Sequence, residues 1–277
     1  MVPPSPELRR TGPARKRFGQ HFLEPAWIAK LVAAIAPQPG QTFLEIGPGR
    51  GQLTEPIARS GAVVHAVEID RDLVAHLRER ALPNVHVHQG DFLAVPVDTW
   101  HDGHGPYRVA ANLPYNVSTP IMARLLALAR DQRVSDAVLM LQKEVADRLV
   151  AVPDTRDYGP LSIAMALQAD VQRVFVLPPG AFRPPPKVHS AVVRIAFRPE
   201  RVAVADRQRF DAIVRHVFTQ RRKMLSTSLQ ALARGEGADA TAWLRAADID
   251  GTRRAETLTL AEFARLADAS RHTADAR

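Results

Sequence analysis

Between residues 42 and 141 the apolar positions gather into short runs, separated by glycine, proline and charged residues at a steady pace. Runs rich in Val, Ile, Leu, Ala and Phe predict strands over 42–46, 62–69, 85–88, 107–111 and 137–141. The stretches between them read as helices over 52–59, 72–81 and 119–129, with an amphipathic helix over 25–35 ahead of the first strand. Pro25 and Pro120 stand where a first helical turn tolerates proline, and Pro37 with Pro39-Gly40 closes the leading helix. Strands and helices alternating in this way predict βαβ units and a mainly parallel, doubly wound α/β sheet.

After Gln142 a short helix (144–150) and an apolar one (161–169) precede two strand-like runs, 171–177 and 190–197, joined by a proline-rich link. So short a link predicts an antiparallel hairpin at the sheet edge. Past Pro199 the pattern turns wholly helical, over 209–218, 225–234, 241–247 and 260–269. The expected organisation is a basic, disordered arm over 1–17, an α/β domain over 18–199 and a small all-α domain over 200–277. No internal repeat is visible.

In doubly wound sheets, ligands bind beyond the carboxyl ends of the strands. Four successive ends carry polar side chains here: Glu45 with Gly47, Gly49 and Gly51, then Glu68, Asp91 and Asn112. The glycines follow G-x-G-x-G rather than the G-x-G-x-x-G of dinucleotide sites, and the Gly-Lys pair of a P-loop does not occur. Taken alone, a glycine turn is equally compatible with a plain strand–helix corner. The whole row fits a nucleoside-bearing cofactor. The N–H groups of the turn would meet an amino-acid or phosphate portion. Glu68 would take both ribose hydroxyls. Asp91 would accept from the exocyclic amino group of adenine, its alternative being a turn or N-cap residue.

The tetrad Asn112-Leu113-Pro114-Tyr115 points to the second substrate. An adenine N6 amino group is a poor nucleophile because its lone pair is delocalised into the ring. A site counters this by accepting both N6–H bonds as the nitrogen becomes tetrahedral, and the Asn112 side-chain oxygen and Leu113 carbonyl suit that task. Pro114 biases Leu113 toward extended backbone, which aims the carbonyl outward. Tyr115 offers a ring on which an extruded base stacks and which stabilises a nearby cation. The ring, rather than the hydroxyl, is the expected asset. The alternative is an Asn-to-Pro turn followed by a core tyrosine.

Charge adds a partner. In 277 residues, 37 Lys+Arg face 29 Asp+Glu, a formal net charge of +8, which favours a polyanion, RNA or DNA before a membrane surface. Arg15, Lys16 and Arg17 in the N-terminal arm and the compact Arg221-Arg222-Lys223 cluster are candidate phosphate contacts; a solvated face is the other reading of such a cluster. The chain has no cysteine, which excludes disulfides, thiolate zinc sites and cysteine nucleophiles. No apolar run approaches the ~20 residues of a membrane span, and residues 1–17 lack the apolar core of a secretory signal, so a cytoplasmic protein is expected. His86, His88, His101 and His104 lack the register of an H-E-x-x-H helix, and no metal is expected. No Ser/His/Asp set stands out.

Residues 18–23 and 45–51, Glu68, Asp91, the Asn112 tetrad, and residues 182–190 and 218–223 together resemble the ribosomal RNA adenine N6-dimethyltransferases. The likeness is greatest to the small-subunit branch, includes residues 112–121 and 141–150, and covers about 15–266. It implies a class I S-adenosylmethionine-dependent methyltransferase fold, Rossmann-like, with a small helical C-terminal domain that binds RNA. It implies cofactor contacts from Gln20, His21, Leu23, Gly47, Glu68, Asp91 and Asn112, with Asn112 shared by the target base. His21 stands where many members have Asn. Phe182 would help position the base, and Lys187 would join the RNA contacts. The implied reaction places two methyl groups on N6 of each of two adjacent adenines near the 3′ end of small-subunit (16S) ribosomal RNA. The substrate would be the immature small subunit, and the enzyme a monomer. Two rivals stay open. One is a large-subunit adenine methyltransferase of the macrolide-resistance kind, which the 184–188 stretch and the long match after Asn112 disfavour. The other is a mainly non-catalytic assembly factor. DNA adenine methyltransferases usually carry Asn/Asp-Pro-Pro-Tyr/Phe where this chain has Leu113.

Overall fold

The computed structural model describes residues 22–115 and 117–271. Gln20, His21 and the Arg15-Lys16-Arg17 arm lie outside the described residues. In chain order the first half runs β1 (Phe22–Leu23), α1 (Pro25–Ile35), β2 (Thr42–Ile46), α2 (Thr54–Arg59), β3 (Val63–Glu68), α3 (Arg71–Glu79), β4 (Val85–Gln89), β5 (Tyr107–Asn112), α4 (Ser118–Arg130) and β6 (Val134–Gln142). It continues with α5 (Lys143–Leu149), α6 (Pro160–Gln168), β7 (Ala169–Leu177), β8 (Phe182–Arg183) and β9 (Ser190–Phe197), then α7 (Arg207–Thr219), α8 (Leu225–Gly235), α9 (Ala240–Ala246) and α10 (Leu260–Arg271).

The main sheet has the order β4-β3-β2-β5-β6-β9-β7. Strands β2 to β6 are mutually parallel, and β9 runs antiparallel to both of its neighbours. The winding reverses between β2 and β5, so the ends of these two strands flank a topological switch point, where such sheets bind ligands.

Alternation within the strands gives the sheet two apolar faces. Leu44, Val109, Leu139 and Val193 pack with Ile121, Met122 and Leu125 of α4 on one side. Phe43, Val64, Ala110, Val138 and Val192 pack with Leu31 and Ile35 of α1 and Ile57 of α2 on the other. Strands buried on both faces are what parallel βαβ architecture demands. A third cluster, built on Phe210, Leu229, Trp243 and Phe263, is the core of the small helical C-terminal region. Helix α6 serves two cores, giving Met165 to the sheet and Ile163 and Leu167 to the helices.

Three local departures from the sequence reading have simple causes. Strand β6 begins at Val134 because Asp136, polar in sequence, is held in the strand by the Arg108 guanidinium at 3.0 Å. Helix α2 starts at Thr54, after a turn closed by the Gly51 N–H on the Pro48 carbonyl at 2.9 Å. A second, two-stranded sheet pairs Leu23 with Phe182 and Phe22 with Arg183; two-residue ladders are too short to leave a periodic signal. The 171–177 and 190–197 runs do pair antiparallel, with the earlier one, β7, at the sheet edge.

Candidate active site

A cavity of about 320 Å³ opens beyond the carboxyl ends of β2, β3 and β5. Its floor is the glycine turn. Gly47 and Gly49 have φ of 66° and 59°, a region that glycine alone enters freely. The Gly47 N–H donates to the Val67 carbonyl at 2.9 Å, which ties the turn to β3. Gly51, also at positive φ, does not line the cavity; a Cβ there would stand 2.9 Å from Leu77 Cδ2, so it serves the approach of α3.

Glu68, at the end of β3, is buried, and its oxygens accept the N–H of Gly49 at 3.0 Å and of Asp70 at 2.9 Å. Burial raises its pKa, and those N–H groups hold it back in part. Glu45 lies deeper: its Oε2 has no hydrogen-bond partner among the described residues, and burial, with the charge of Glu68, pushes its carboxyl up to about 8. Asp91 is exposed on the rim, where one oxygen takes the Leu93 N–H at 2.9 Å, so the turn role and the lining role coexist.

The tetrad forms the opposite wall. Asn112, Leu113, Pro114 and Tyr115 all line the cavity. Among the described residues no group hydrogen-bonds the Asn112 amide, while the Leu113 N–H is fixed on the Met140 carbonyl at 2.9 Å. The Tyr115 hydroxyl is 2.6 Å from Ser190 Oγ, and burial raises its pKa. Leu23 and Phe182, paired across β1 and β8, supply apolar lining and are both buried.

Three residues of this site escape a reading of the sequence. Gln52 clamps β1 to the glycine turn, accepting from the Leu23 N–H at 3.2 Å and donating to its carbonyl at 3.1 Å. Ile69 lines the cavity while 50% exposed, an apolar surface next to Glu68. Ser190 meets Tyr115 across 75 residues of chain. An isoleucine placed after a strand-end glutamate was the one legible signal.

The basic candidates lie elsewhere. Lys187 and Arg221 line a second, wider cleft together with Lys143, Arg148, Arg156 and Arg215. Arg221 is ion-paired with Glu256 and donates to the carbonyls of Arg156 at 2.6 Å and Thr155 at 3.1 Å, whereas Arg222 and Lys223 are exposed. Of the histidines, His86 and His88 stack on His65 with ring centroids 4.9 and 5.5 Å away. Burial first, then these two neighbours, push His65 down to about 4. Among the described residues no group of three or more His, Asp or Glu is placed to hold a metal ion, and no helix is long and apolar enough to cross a membrane.

The chain matches the family model described as ribosomal RNA adenine dimethylase over residues 12–270. It is 44% identical over 262 residues to the ribosomal RNA small subunit methyltransferase A of Xanthomonas axonopodis pv. citri, covering 93% of this chain and 97% of that one. It is 44% identical over 258 residues to the protein of the same name from Aromatoleum aromaticum, covering 90% and 91%. Among solved structures, a dimethyladenosine transferase from Plasmodium falciparum superposes with a TM-score of 0.70 at 24% identity, covering 89% of this chain and 96% of that one. The 23S rRNA methyltransferase ErmE gives 0.64 at 26% identity, covering 90% and 98%. The sheet and its helices thus have the Rossmann-like methyltransferase fold, and the chain belongs to the ribosomal RNA adenine dimethylase family.

Proposed function

We propose that this chain transfers methyl groups from S-adenosylmethionine to N6 of two adjacent adenines near the 3′ end of small-subunit ribosomal RNA, two to each adenine. The substrate is an immature small subunit in the cytoplasm and the enzyme a monomer. The observation that carries this reading is the meeting, in one cavity, of the Glu68–glycine-turn wall with the Asn112 tetrad. A nucleoside donor and an adenine acceptor would then share one protein-lined space.

The residues present fit that donor. Ile69 and Leu93 offer apolar flanks for a purine, Glu68 takes the ribose hydroxyls, and Asp91 stands at the rim for the exocyclic amine. The buried, unpartnered oxygen of Glu45 suits a cationic amino-acid arm, which would favour its ionised form. S-adenosylmethionine supplies an electrophilic methyl group on a positively charged sulfur. The chain supplies position and charge: Asn112 and the Leu113 carbonyl accept the N6 hydrogens, while the Tyr115 and Phe182 rings hold the base. No general base is required.

Residues 200–277 serve as the RNA-binding domain, with Arg15, Lys16, Arg17, Lys187, Arg222 and Lys223 as phosphate contacts. The 44% identity to small-subunit enzymes, against 26% to the large-subunit enzyme ErmE, favours the small-subunit substrate. Mapping dimethylated adenines in ribosomal RNA from cells with the wild-type chain, without it, and with Asn112→Ala tests the proposal. The modification is expected in the small-subunit RNA of the first cells only. Methylation confined to large-subunit RNA, or undiminished in the Asn112→Ala cells, would overturn it.

A further inference from the structure

The reading of the tetrad gives the work at Tyr115 to its ring, yet its hydroxyl has a built partner. Ser190 Oγ lies 2.6 Å away. Ser190 is fully buried at the start of β9, in register with Gln142 of β6 and Leu177 of β7. Two strand ladders fix its position, so it is a rigid reference point rather than a loop residue. The same ladder sets the tetrad backbone: the Leu113 N–H is held by the Met140 carbonyl, and Met140 pairs with Val192, two residues beyond Ser190. Residues 182–190 then connect Ser190 back to Phe182, which lines the cavity with Tyr115.

A ring that borders an open cavity is packed incompletely, and the torsion that sets its plane is a soft one. A base can stack only on a ring whose plane is held. A hydrogen bond at the far end of the ring to a fixed hydroxyl holds the direction of the ring axis, and the preference of a phenolic hydroxyl for bonding in the plane of its ring biases the plane as well.

We propose that Ser190 is a positioning residue for methyl transfer, its hydroxyl pinning the Tyr115 ring in the plane on which the target adenine stacks. This rests on the tetrad being the base site. It makes Tyr115→Phe a costly change, against the expectation that the hydroxyl is dispensable. A bond that merely fastens β9 to the tetrad loop would act on stability alone.

The test is a double-mutant cycle of Ser190→Ala, Tyr115→Phe and the pair, read by single-turnover methyl transfer to RNA at saturating S-adenosylmethionine. Thermal unfolding and cofactor affinity are measured beside it. Each single change is expected to slow transfer about 3- to 10-fold, the scale of one neutral hydrogen bond. The double variant should be no slower than either, and cofactor affinity should stay within about twofold of wild type. RNA carrying 2-aminopurine at the target position should be quenched by the wild type and less by each variant, a stacking signal that altered stability does not move. Wild-type transfer by Ser190→Ala, rate losses that multiply in the double variant, or unchanged quenching would each overturn the role of Ser190. Should the Ser190→Ala protein not fold, Tyr115→Phe decides alone through the quenching and rate measurements. Failure of the wild type to methylate adenine in RNA would instead overturn the function on which the inference rests.

Discussion

The carboxylate of Glu68 accepts two backbone N–H groups, one from the glycine turn and one from Asp70, and an ionised carboxylate has about four acceptor sites. In the proposed cofactor site the remaining capacity would serve the ribose hydroxyls, on a carboxylate already oriented by its N–H partners. Glu68→Ala is therefore expected to weaken S-adenosylmethionine binding by roughly 1.5–3 kcal/mol, through the lost charge-assisted hydrogen bonds. Calorimetry on the folded variant checks this; an unchanged affinity would leave Glu68 a structural tie for the turn. Glu68, Asp91 and Asn112 were legible because a strand end beside a glycine turn is a positional signal within a few residues. Gln52 and Ser190 were not, since each acts on a partner 29 or 75 residues away that only the fold brings near.

At the level of elements, the turn between α7 and α8 separates three cations that look equivalent in sequence. Arg221 straps Glu256 and the carbonyls of residues 155 and 156, which joins the turn to two other segments. Arg222 and Lys223 are left exposed to solvent. Changing Arg222 and Lys223 to Ala should lower affinity for RNA and reduce the slope of log affinity against log salt by about 0.7–0.9 per lost phosphate contact. Their melting temperature should not move. Arg221→Ala should instead destabilise the fold by on the order of 1 kcal/mol, since the pair is part exposed, with little change in that slope. Salt titrations and unfolding curves for the two variants separate the roles; equal slopes in all proteins would make the exposed pair a solvated face. Glycine and proline punctuation made the larger elements readable, while the β1–β8 ladder and the first residues of β6 depend on tertiary partners.

Across the whole molecule, two buried groups pull stability in opposite directions as pH changes. Glu45 holds its proton up to about 8 when folded, against an ordinary 4.5. That preference stabilises the folded state fully below 4.5 and is lost as pH rises through about 8. His65 is kept neutral down to about 4 against an ordinary 6.5, so its contribution is complete above 6.5 and is lost as pH falls through about 4. Between 6.5 and 8 the contribution of Glu45 is unopposed by His65, and stability should decline with rising pH. Glu45→Gln, which keeps the shape without the ionisation, should flatten that decline. Urea midpoints across this range check it, and an equal slope in both proteins would show that Glu45 does not ionise there.

The place of β9 between β6 and β7 sets a timetable for folding. Among the described residues the one neighbour of β7 in the sheet is β9, and β9 follows both β7 and β6 in the chain. During synthesis the parallel strands β2 to β5 emerge and can pair with one another before β9 has been made. The wall built on Glu45 and Glu68 should therefore mature before the wall that needs Ser190 and Phe182. In chains stalled on the ribosome at increasing length, the amides of Val64 and Val67 are expected to gain protection at lengths that stop short of β9. Protection that appears only once β9 has emerged would mean that the sheet zips as one cooperative unit. On the expected order, a growing chain acquires its nucleoside-binding half first and stays unable to grip an adenine until its last strand is inserted.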